Sequence, residues 1–111
     1  MNSTHDELLL RAKVNTETGR IAWVELQRFF AAGRAIRVAP ELDLVDVAVV
    51  IHLDRHRTLK GWADAGQVAS VSDNEARDWL SANSLMWSVV VKPWVLVQPM
   101  LKPPATTEAA D

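Results

Sequence analysis

The sequence holds no cysteine and no tyrosine, and only four glycines among 111 residues. Without cysteine there is no disulfide framework, no thiolate nucleophile and no thiolate-bound zinc. The glycines, at 19, 33, 61 and 66, fit neither a dinucleotide-binding nor a phosphate-loop spacing. No serine stands in a G-x-S-x-G elbow and no stretch reads His-Glu-x-x-His, so the familiar hydrolase and metalloprotease signatures are missing. The longest unbroken apolar run, Val47 to Ile51, is far short of the ~20 residues of a membrane span. The first ten residues lack the cationic patch and apolar stretch of a signal peptide. No membrane segment and a cytoplasmic location are the expectation.

Charge of one sign is not in excess either. The formal net charge is −2, and acids and bases are interspersed; only Glu41, Asp43, Asp46 and Asp54 form a stretch without Lys or Arg. Nothing resembles the concentrated basic face that nucleic-acid binding requires. What is present is apolar: 49% hydrophobic residues in 12.3 kDa. A chain of this mass buries about two-thirds of its surface on folding. That is enough for a core without metal or disulfide staples.

Thr4-His5-Asp6-Glu7 fits a capping box opening a helix, with Leu8, Leu9 and Ala12 on one side, ending near Asn15. A second helix is expected from Ala22 to Ala32, with Trp23, Leu26, Phe29 and Phe30 inward, Glu25 and Arg28 outward, and Gly33 as its left-handed stop. Ala35 to Val38 alternates as a short strand ended by Pro40. Leu42 to Leu53 fits both an alternating strand and a helix opened by Asp43, and periodicity does not decide between them. Asp54 is placed as the cap of a helix carrying Leu59, Trp62 and Ala63 and closed by Gly66. Val68 to Val71 reads as an edge strand. Ser72-Asp73-Asn74-Glu75 is a second capping box, before Ala76, Trp79 and Leu80. Leu85 to Gln98 reads as buried strand broken at Pro93. The tail from Pro99, containing Pro103 and Pro104, is expected to lack order.

The strings Glu25-Leu-Gln-Arg-Phe-Phe-Ala-Ala-Gly33, Leu42-Asp-Leu-Val-Asp-Val-Ala48 and Val89-Val-Val-Lys-Pro-Trp-Val-Leu-Val-Gln98 resemble an uncharacterised bacterial family, domain of unknown function 2288. The likeness spans residues 8–98, and the Pro-Trp-Val-Leu-Val-Gln ending is its most specific element. It brings no catalytic residue, cofactor or metal. It implies a compact domain in which 42–53 is helical. The resulting expectation is a single α+β domain over 1–98, ordered from about residue 5. About four helices pack on a small, mainly antiparallel sheet of two to four short strands.

Three constellations bear on chemistry. His52 and His56, at i and i+4, would share a face of one continuous helix as metal ligands do; if Asp54 separates two helices, they form a solvated polar corner, the preferred reading. Asp43 and Asp46 suit acid–base work or a hard cation, or else a helix start and a partner such as Arg37. Of the five tryptophans, Trp23, Trp62 and Trp79 lie on apolar helix faces, which leaves Trp87 and Trp94 as candidates for surface roles. No catalytic, cofactor or metal residue is assigned. The leading expectation is a non-catalytic module that self-associates, most simply as a dimer through residues 85–98, or docks a protein partner. Its rival is a ligand-binding protein or unfamiliar enzyme whose pocket combines a Trp with Arg34 or Arg37 as anion donors.

Overall fold

The computed structural model describes residues 3–100. In chain order the elements are α1 (Ser3–Glu17), β1 (Gly19–Ala22), a 3-10 turn (Trp23–Leu26), α2 (Gln27–Ala31), β2 (Ala35–Val38), α3 (Leu44–His52), α4 (His56–Asp64), β3 (Val68–Ser70), α5 (Asp73–Ser81), β4 (Leu85–Val91) and β5 (Trp94–Pro99). The five strands form one sheet in the order β1-β4-β5-β2-β3. Its neighbours are antiparallel except β2 and β5. The α+β expectation therefore holds, with more helices and strands than anticipated and one parallel pair. Of the tail expected from Pro99 onward, Pro99 is the last residue of β5 and residues 101–111 lie outside the described residues.

The fold is three-layered because the strands are apolar on both faces. On one face Val38, Val68, Val89, Val91 and Leu96 pack beneath Val14 of α1 and Leu44, Val47 and Ala48 of α3. On the other, Ala35, Met86, Val95 and Val97 pack against Trp23 and Leu26 of the 3-10 turn and Ala76 of α5. This arrangement corrects the reading of Leu85 to Gln98. Lys92–Pro93 is the turn of a hairpin between two paired strands, not a break within one. The two strands are the sheet's interior pair, flanked by β1 and β2. Their mainly apolar character reflects helices of the same chain on both faces, which leave Leu85, Trp87 and Val90 exposed.

Residues 42–53 form α3. The Asp43 carboxylate accepts from the Val45 amide at 2.9 Å, a cap that stabilises helix over the strand its β-branched residues also suit. Ser72 and Glu75 make the anticipated capping box. Four helices stop in one way: a residue of positive φ (Gly33 75°, Asp54 59°, Gly66 75°, Asn83 53°) follows the helix. The next amide then reaches back five residues, as Arg34 N to Phe29 O at 2.9 Å and Arg55 N to Val50 O at 3.0 Å. Asp54 thus ends α3 rather than capping α4; the cap position of α4 is Arg55, with no side-chain bond.

Other placements differ. The first helix has begun by Ser3, so Thr4 lies inside it. Leu8 and Leu9 are 59% exposed, and the inward stripe is Leu10 and Val14. The segment from Trp23 winds as 3-10 before turning α-helical. This buries Trp23 and Leu26 and leaves Phe29 and Phe30 half-buried. Leu80 is exposed.

Candidate functional site

The singled-out residues separate. Arg34 is exposed in the turn before β2, where its carbonyl accepts from the Val95 amide at 2.9 Å. Arg37 lies on the sheet face covered by α5: its Nε is 2.8 Å from Glu75 Oε2, and its Nη2 donates to the Gly66 carbonyl at 2.9 Å. Asp43 is the α3 cap. Asp46 pairs with Arg11 of α1, not with Arg37. The guanidinium of Arg37 and the two carboxylates thus stand on opposite sides of the sheet, each with a structural partner.

Trp87 stands beside a free edge. In the register of β1 on β4, Arg20 is opposite Trp87 and Ala22 opposite Leu85. The Arg20 guanidinium carbon lies 5.8 Å from the centre of the Trp87 ring, in cation–π range. Trp87 is 38% and Leu85 51% exposed. The Trp23 amide donates to Ser84 O at 2.9 Å, which continues that register and sets its parity. Gly19 and Ile21 exchange hydrogen bonds with β4, while the amides and carbonyls of Arg20 and Ala22 point away from the sheet. Sequence reading does not find Arg20: it assigns Gly19, Arg20 and Ile21 to no element and places Ala22 at the start of a helix, where the structure has β1.

Trp94, 37% exposed, lines a groove of about 1010 Å³ at the β4–β5 turn. Its apolar wall is Leu10 and Val14 from α1, Ile51 from α3, Leu59 from α4, and Val91. The rim is polar: Lys13 and Glu17 from α1, His52, Asp54 and His56 from the α3–α4 corner, and Lys92 from the turn. His52 and His56 both reach this groove. However, Asp54 breaks the helix between them, and its Oδ2 lies 3.3 Å from His56 Nε2. Among the described residues no three His, Asp or Glu side chains gather as a metal site would need. The corner is tied to α1 by Arg55 and Glu7. The hydrogen bond from Arg55, aided by its charge, holds the Glu7 carboxyl below its usual range. The signal that would have found this wall is the stripe Leu10, Lys13, Val14, Glu17 at i, i+3, i+4, i+7.

The chain belongs to the family described as "Protein of unknown function (DUF2288)", whose model matches residues 9–99. Among solved structures it is similar to the NMR solution structure of PA1075 from Pseudomonas aeruginosa. The two are 38% identical with a TM-score of 0.75, over 85% of this chain and 87% of that one. Among curated proteins nothing matches. Among the described residues no helix is long and apolar enough to cross a membrane.

Proposed function

We propose that this protein is a non-catalytic cytoplasmic module that self-associates as a two-fold homodimer, strand β1 of one copy pairing antiparallel with β1 of the other. The observation that carries this reading is the juxtaposition of an unpaired backbone edge with exposed apolar side chains. The amides and carbonyls of Arg20 and Ala22 point outward, and Leu85 and Trp87 stand exposed on the adjoining strand. The backbone edges of β4 and β5 are satisfied within the sheet, so residues 85–98 contribute side chains and β1 contributes the edge.

A two-fold axis through Ile21 places Arg20 opposite Ala22 of the second copy and Ile21 opposite itself. Each Arg20–Ala22 pairing exchanges two hydrogen bonds. The alternative axis through Arg20 sets two guanidinium groups face to face and is disfavoured. Closed two-fold pairing covers the β1 edges of both copies at once; the other edge, three-residue β3, lies at the far side of the sheet. A four-residue edge is small beside the ~800 Å² per partner of a standard interface, so the dissociation constant falls in the micromolar range.

Ala22→Pro tests this cleanly. Ala22 has φ −71° and ψ 139°, which proline adopts without strain, and Ile21 before it is extended, as proline requires. The amide it removes points outward. Sedimentation equilibrium across the micromolar range should show wild type heavier than 12.3 kDa and A22P as a folded monomer. A wild type that stays monomeric refutes the dimer, and an A22P protein that associates like wild type refutes its placement.

A further inference from the structure

Residues three apart share a side of a 3-10 turn. In the turn Trp23–Leu26 the first and last are buried, so Val24 and Glu25 face outward, and Val24 is 50% exposed. On the same face of the sheet a groove of about 280 Å³ opens beside β1. Its floor is low. Gly19 has no side chain, a Cβ there would meet no atom within 4 Å, and its partner on β4 is Ser88. Its walls are apolar: Ile21, Leu26, Phe29 and Val90, the last 55% exposed. The charged groups on the rim, Glu17 and Arg20, offset one another, so the groove favours an apolar occupant over an ion of either sign.

We propose that the occupant is a second copy of this chain, Val24 of each protomer seating over Gly19 of the other. The contact rests on the β1–β1 pairing and adds side-chain packing to what is otherwise a backbone edge.

The pairing register names the occupant. Antiparallel partners step in opposite directions. With Ile21 opposite itself and Arg20 opposite Ala22, the next pair is Gly19 opposite Trp23 of the second copy, and Val24 is the residue that follows. Gly19 and Ile21 share the sheet face of Met86. That is the face on which Trp23 and Leu26 pack, so the incoming turn arrives on the side where the groove opens. Two-fold symmetry makes the contact twice. Area points the same way. A four-residue edge falls well short of the ~800 Å² per partner of a standard interface, and Val24 with the groove walls supplies apolar surface at the position the register dictates.

The chain has no cysteine, so an engineered disulfide reports the contact directly. Gly19→Cys and Val24→Cys are combined in one chain and oxidised. Within a chain the two positions are separated by the length of β1, three strand steps of roughly 3.3 Å each, which exceeds the ~7 Å between Cα atoms that a disulfide spans. A bridge therefore joins two copies. The double variant should migrate as a covalent dimer without reductant, whereas G19C and V24C alone should not, because the two-fold sets each position far from its own counterpart. Val24→Asp should raise the dissociation constant in sedimentation equilibrium by about tenfold or more, since each dimer would carry two carboxylates into apolar grooves. A monomeric wild type would refute the dimer and this contact with it. If wild type dimerises and A22P does not, the strand pairing stands. A double variant that then fails to cross-link, or a V24D protein that associates as tightly as wild type, would overturn the Val24 contact alone.

Discussion

The side-chain amide of Gln98 donates to the carbonyl of Leu42 at 2.7 Å, and the same nitrogen donates to the carbonyl of Ala39 at 2.9 Å. The end of β5 is thereby fastened to the loop that launches α3, across more than fifty residues. Gln98 is the one buried polar side chain among the described residues. It serves the Leu42 carbonyl and adds a second donor to the Ala39 carbonyl, which also accepts from the Leu42 amide at 3.1 Å.

Gln98→Leu keeps the size and removes both N–H donors, leaving the Leu42 carbonyl without a partner and the Ala39 carbonyl with its turn bond alone. Leaving one such carbonyl without a partner costs about 1–3 kcal/mol, so the variant should be destabilised by roughly that amount in urea denaturation. A curve that overlays wild type would show that water reaches these carbonyls and that the fastening is dispensable.

Two glycines should respond to alanine in opposite directions. A Cβ at Gly33 or at Gly61 meets no atom within 4 Å, so only the backbone decides. Gly33 sits at φ +75°, where a side chain costs roughly 1–2 kcal/mol. Gly61 is exposed within α4, where alanine gains up to about 1 kcal/mol. G33A should lower the melting temperature and G61A raise it. Shifts of the same sign would refute the account.

Trp23 anchors the second core. It is fully buried and meets Trp79 and Phe30 edge to face, at 5.0 and 5.9 Å between ring centres. Trp23→Ala should cost about 3–5 kcal/mol. Phe29 is half-buried, with Arg28 lying 4.9 Å from its ring centre. Phe29→Ala should therefore cost clearly less, about half as much. Equal losses in chemical denaturation would mean that the stripe of this segment is misplaced.

The sequence alone determined the local events, because each is settled within a few residues. Ser72 and Glu75 satisfy one another's backbone amides three positions apart. Gly33 and Gly66 provide left-handed stops at no steric cost. Asp43 caps whatever helix follows it. The alternation of Ala35 to Val38 needed no neighbour to be legible, and Trp87 and Trp94 stood out because no apolar stripe claimed them. Tertiary structure decided the rest. The run from Leu85 to Gln98 is equally apolar whether it forms one strand or a hairpin. Only the helices arriving on both faces fix it as the sheet's central pair and leave β1 and β3 at the edges. Leu8 and Leu9 are as apolar as Leu10, and the one turned inward is chosen by where α3 lies. Asp46 found Arg11 rather than Arg37 for the same reason: helix packing sets which charges meet, and it acts over distances that no spacing in the chain records.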